Sequence, residues 1–237
     1  MASRYNAGMT VRYGLFLLLT GVMTAFLGYG TWATARLLRE WTPPRNPRLE
    51  PLERLVKAAL CVLCILLGWL SGVSPAALGW TTARPAAQAA WGALAGAALG
   101  LLFYAASRWV VARAGTRYYS PALVELIAPR SGAELGWIAL AMVPAVLLEE
   151  LLFRSLLVGG LSPIAPLPLL VVASALLFGL MHSPQGAWGM AGATLAGVLF
   201  GLLFLAAGSL LLPLAAHYAT NLVQLGIVLR ERVRSEQ

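Results

Sequence analysis

Leu147-Leu148-Glu149-Glu150-Leu151-Leu152-Phe153-Arg154 lies inside an apolar run that extends from 135 to 158. Ionisable side chains in hydrocarbon are costly and almost always face a bundle interior or a polar cavity. This stretch therefore needs other helices around it, and those helices must bring polar partners. Six further apolar runs can supply them, at 13–35, 58–79, 87–107, 165–183, 187–207 and 209–229. Each is close to the ~20 helical residues that cross a hydrocarbon core. The fold expected is all-α, a polytopic transmembrane helix bundle of about seven spans.

Composition agrees with that reading. Hydrophobic residues make up 59%, charged residues only 11%, and the mean hydropathy is +0.78. Soluble domains carry roughly 25% charged residues. The net charge of +8 sits mostly in segments between apolar runs, where it sets membrane orientation. No soluble basic domain is left to form a nucleic-acid footprint, so no nucleic-acid partner is expected. All nine acidic residues are Glu, which removes any mechanism built on an aspartate pair or an Asp-containing triad. Lys57 is the sole lysine among the basic residues. With abundant Ala, Gly and Leu, that bias points to a bacterial source, and the expected location is a multi-pass protein of the bacterial inner membrane.

Three segments organise the chain. Residues 1–134 hold the N-terminal spans and two polar connectors, 36–57 and 108–134. Residues 135–229 hold the polar motifs. Residues 230–237 form a basic tail with Arg230, Arg232 and Arg234. The excess of Arg in the connectors and tail places all three in the cytoplasm. Pro121 to Ile127 reads as a short interfacial helix. Arg4 and Arg12 precede the first span and Ala33-Thr34-Ala35 resembles a cleavage site. The apolar run exceeds a signal-peptide core, so it reads as a membrane helix.

Cys61 and Cys64 form C-x-x-C within an apolar run. A structural zinc needs four ligands and no second cysteine pair exists, so packing is the favoured reading. Gly92, Gly96 and Gly100, and likewise Gly189, Ala193, Gly197 and Gly201, put small residues at every fourth position, which lets helix backbones approach. They serve either homodimerisation or packing within one bundle. Packing is favoured, and monomer or homodimer stays open.

The motifs that carry chemistry are three. On a helix Glu150 and Arg154 share a face, while Glu149 is turned about 100° away. Glu150 and Arg154 read as a buried ion pair, leaving Glu149 towards a cavity as a general base. Phe178 and His182 share a face at the end of the fifth run. His217 and Asn221 share one in the last run, and both side chain types can donate to a developing oxyanion. Singly, each has a bland structural reading. Together on three spans they are the parts of a hydrolase that attacks an amide with water.

Glu-Glu-x-x-x-Arg, Phe-x-x-x-His and His-x-x-x-Asn in this order resemble the CPBP family of CAAX prenyl endopeptidases, bacteriocin-processing and immunity proteins, also called ABI. The resemblance covers roughly 135–229. It implies that Glu149 with His182 activates water, that His217 and Asn221 stabilise the oxyanion, and that Glu150, Arg154 and Phe178 support the site. It implies a membrane-associated peptide substrate and membrane lipid as surroundings, and a myxosortase-like role in trimming C-terminal sorting tails is one form of it. Metal-free chemistry is favoured. The alternative is zinc on Glu149, His182 and His217, which leaves Glu150 as base although it faces Arg154. Two other functions compete: a non-catalytic immunity or regulatory protein of the same fold, which degenerate motifs would have favoured, and a proton-coupled transporter, which predicts inverted repeats that the sequence does not show. One tension remains. By linear depth Glu149 and His182 stand roughly 15 Å apart at 1.5 Å per residue, so the helices must be tilted or staggered for the two to meet.

Overall fold

The computed structural model describes residues 7–38, 40–41, 46, 49–118 and 120–235. They fold into helices: α1 Ala7–Leu37, α2 Pro51–Ser71, α3 Pro85–Ala114, α4 Pro121–Ile127, α5 Gly132–Glu150, α6 Leu167–Leu180, α7 Gly186–Ala207 and α8 Leu211–Ser235. α5 continues without a break as a π-helical segment, Leu151–Gly160, and a 3-10 turn, Ser183–Gln185, leads into α7. Among the described residues there is no strand. Six helical stretches among the described residues are long and apolar enough to cross a membrane, and α6 is a shorter apolar helix. The chain is a polytopic helical bundle, as its hydropathy predicts.

The core surrounds the π segment. Leu151, Leu152, Phe153, Leu156 and Val158 are buried, as are Arg154 and Ser155. A helix buried on every side carries no polar stripe, and this one is apolar apart from Arg154 and Ser155. α2, α5 and α6 pack around it, α6 pairs with α7, and α3 lies along α8. Cys61 and Cys64 are free and buried on α2, and the Cys61 thiol donates to the Pro144 carbonyl at 3.3 Å. They pack, as expected, in the interior.

The second span differs from the sequence reading of 58–79. α2 begins at Pro51 and stops at Ser71, because Gly72 adopts a left-handed conformation with φ 69°, which favours glycine. Ser71 Oγ donates to the Gly68 carbonyl and accepts from the Val73 N–H. Residues 74–80 then form a tight turn that re-enters the bundle, burying Leu78. Ser155 Oγ donates to the Leu78 carbonyl at 2.8 Å and accepts from Trp80 Nε1 at 2.8 Å. The Leu210 N–H donates to the Gly79 carbonyl. Hydropathy alone could not distinguish this apolar turn from a helix end, since its side chains pack back on Gly68 of α2 and are held by Ser155, 75–77 residues away.

The small-residue repeats are used inside the chain. A Cβ on Gly96 would overlap the Ala216 carbonyl, and one on Gly92 would overlap the Leu212 carbonyl, so α3 and α8 meet backbone to backbone. Gly197 and Gly201 of α7 also sit close to α6, where an added Cβ would come within 2.9 Å of the Ala175 Cα and 2.8 Å of the Val171 side chain. Thr220 Oγ1 adds a hydrogen bond to the Gly96 carbonyl at 3.0 Å, which fixes the register of α8 on α3.

The connectors join at the end of the bundle where α8 finishes. α4 forms where the sequence places a short helix, and its Glu125 pairs with Arg232 of α8. Asn46 Nδ2 donates to the Ile127 carbonyl. Glu231 accepts from Tyr104 at 2.6 Å and from Arg108 at 3.1 Å.

Candidate active site

Glu149 and Glu150 close the α-helical part of α5, and Arg154 lies just inside the π segment. Their side chains diverge as the helical geometry requires. Glu150 is fully buried, whereas the Glu149 side chain is 34% exposed. Arg154 Nη1 donates to Glu150 Oε1 at 3.0 Å, and Nη2 donates to the Gly197 carbonyl at 3.3 Å. Burying such a pair is tolerable only with further hydrogen bonds and good geometry. Here the guanidinium also lies over the rings of Phe178 at 5.0 Å and Phe200 at 5.4 Å, where the ring quadrupole favours a cation.

His217 enters from α8 and is buried. Its Nδ1 donates to Glu150 Oε1 at 2.8 Å, because a carboxylate can only accept from the ring. Its Nε2 lies 3.5 Å from Glu149 Oε2, outside hydrogen-bond range but facing the same carboxylate. One imidazole thus spans both members of the Glu-Glu pair. Glu150 Oε1 receives both Arg154 and His217, while its buried Oε2 has no hydrogen-bond partner among the described residues.

The depth tension is resolved by register. The rings of Phe153 and Phe178 meet edge to face at 4.9 Å. α6 follows the π segment through a short loop and runs antiparallel to it. Four residues back from Phe153 is Glu149, and four residues on from Phe178 is His182, so both lie about one turn to the same side of that contact. α6 ends at Leu180 rather than 183, which places His182 in the turn after it. The His182 ring packs on Phe178 at 4.4 Å. Its Nδ1 donates to the Phe178 carbonyl at 2.7 Å, since a carbonyl oxygen only accepts. That leaves Nε2 for other contacts.

The cluster thus joins Glu149, Glu150, Arg154 and His217 directly, and ties His182 to them through Phe178, whose ring also meets His217 at 5.8 Å. Asn221 stands one turn beyond His217, half-buried, and its side chain makes no hydrogen bond to another described residue. Glu149, His182 and His217 do not gather into a metal-holding group, and no three His, Cys, Asp or Glu side chains do so among the described residues.

Two residues of the site escape motif reading. Gly197 offers its carbonyl to Arg154, and Phe200 packs its ring on His217 at 4.9 Å, nearly parallel at 23°. Both lie on α7, three residues apart. The glycine spacing marks that face as a close contact, but nothing local says what it meets.

Residues 131–223 match the family described as Rce1-like, type II CAAX prenyl endopeptidase. The match spans Glu149, Glu150, Arg154, Phe178, His182, His217 and Asn221, and it supports the CPBP resemblance. Comparison with curated proteins and with solved structures gives no match.

Proposed function

We propose, from an Rce1-like domain at residues 131–223 of a multi-pass membrane protein, that this chain is an intramembrane endopeptidase using glutamate-activated water. At the family level the domain is that of a CAAX-type intramembrane protease. The finer reading rests above all on His217, held at Nδ1 by buried Glu150 with Nε2 turned to Glu149.

The chemistry follows from what each group is free to do. Glu150 and Arg154 are occupied with each other and with His217, so they hold the site rather than react. Glu149 is the partly exposed carboxylate, able to take a proton from water as general base. His182 has its Nδ1 committed to Phe178, leaving Nε2 to orient the same water. The water oxygen attacks the scissile carbonyl carbon, and its proton passes to Glu149. The carbonyl oxygen becomes an oxyanion, to which Asn221 donates from its amide and His217 donates from Nε2 in the form that carries a proton on both ring nitrogens, Nδ1–H staying on Glu150. The C–N bond then breaks as the proton on Glu149 moves to the leaving amine. The substrate is a membrane-proximal peptide segment near a C-terminus, with lipid as its surroundings.

The test uses the purified full-length chain in lipid vesicles with two reporters: a prenylated Cys-a-a-X peptide, and a peptide ending in a short apolar tail. Cleavage of either, reduced to background by Glu149→Gln, is the expected result. Cleavage by Glu149→Gln at the wild-type rate would overturn the assignment of the base.

A further inference from the structure

Phe200 is 1% exposed on α7, and its surroundings are unusual for a core phenylalanine. The His217 imidazole stacks on it, with centroids 4.9 Å apart and planes inclined by 23°. The Arg154 guanidinium carbon lies 5.4 Å from the same ring centroid. Three residues earlier on the same helix, the Gly197 carbonyl accepts from Arg154. α7 therefore touches both ends of the Glu150 network, by a backbone oxygen and by a ring.

The consequence concerns ring orientation. The terminal torsion of a histidine is broad and roughly two-fold. The hydrogen bond from Nδ1 to Glu150 holds one atom of the imidazole, but a coupled change of the two side-chain torsions can still tilt the ring while that bond persists. A nearly parallel ring against one face removes that freedom, and the edge of Phe178, inclined at 85°, bounds the ring from another direction. With one nitrogen and the plane both set, Nε2 can point only to the side where Glu149 lies.

We propose that Phe200 is a positioning residue for His217: it sets the imidazole plane so that Nε2 faces the reacting atoms, and it links that plane to Arg154. The inference rests on the hydrolytic reading for its effect on rate, but its structural content does not. Phe200 touches no substrate in this scheme. A residue that only filled space could be replaced by an aliphatic side chain at a cost in stability but without freeing the imidazole. A positioning ring would be replaced only by another ring.

The experiment is solution NMR on the full-length chain in detergent micelles with labelled histidine and phenylalanine. The chain has only two histidines, so His182→Gln assigns the His217 signals. In the wild type, His217 ring protons should show a direct through-space cross-peak to Phe200 and a slowly exchanging Nδ1–H. Phe200→Leu should lose the protected Nδ1–H, and Phe200→Tyr should retain it. With the prenylated reporter, Phe200→Leu should lower kcat by up to about 100-fold, the scale of a 1 Å misplacement, with KM unchanged. Absence of the wild-type cross-peak overturns the proposal whether or not a variant folds. A protected Nδ1–H and unaltered kcat in folded Phe200→Leu overturn it as well. If instead Glu149→Gln cleaves normally while the NMR results hold, the hydrolytic reading falls and the positioning geometry stands.

Discussion

Gly96→Ala puts the contact between α3 and α8 under a direct test. The added Cβ would overlap the Ala216 carbonyl oxygen and lie 2.7 Å from its carbonyl carbon and 2.8 Å from its Cα. Carbon atoms in contact prefer about 3.5–4.0 Å, so the two helices must separate by roughly 1 Å. All three atoms are backbone, so no side chain can swing aside. Overpacking of this kind costs about 1–3 kcal/mol. The retreat also carries the next residue, His217, away from Glu150, whose 2.8 Å bond would stretch beyond normal range. A displacement of that size costs about 100-fold in rate. Gly21→Ala on α1 is the control, since a Cβ there meets nothing within 4 Å and a helical Gly-to-Ala change is worth up to about 1 kcal/mol of added stability. Thermal melting in micelles and reporter cleavage give the two readings. A Gly96→Ala protein that melts and cleaves like the wild type would refute the claim that this backbone contact sets the position of His217.

Other perturbations probe the remaining parts. Arg154→Ala leaves Glu150 buried without its cation, at about 3–5 kcal/mol, so folded yield and cleavage should fall together; normal levels of both would contradict the role of the pair. Asn221→Ala removes one proposed oxyanion donor, which costs about 100–1,000-fold in other hydrolases, and its melting temperature should stay near wild type because the side chain bonds to no described residue; an unchanged rate would remove Asn221 from the mechanism. Ser155→Ala strips Trp80 Nε1 of its acceptor and the Leu78 carbonyl of a donor, costing about 1–3 kcal/mol for a buried unsatisfied group, measurable as a lower melting temperature. Chelators should leave reporter cleavage unchanged, and a loss that zinc restores would reassign His182 and His217 as ligands.

Local pattern alone determined much of this protein. Apolar run length placed the membrane helices, and the i, i+4 rule paired Glu150 with Arg154 and separated Glu149 from both. Arginine charges marked the connector that holds α4. These features are legible because they depend on neighbours within one or two turns. The rest depended on how helices rotate and slide against one another. The re-entrant turn at 74–80 is held by Ser155 and Leu210, far along the chain. The common level of Glu149 and His182 follows from the Phe153–Phe178 contact and the short α6. His217 spans two carboxylates 67 and 68 positions earlier, and Phe200 meets it from a third helix. A helical period states which residues share a face, but only packing in three dimensions decides what that face meets.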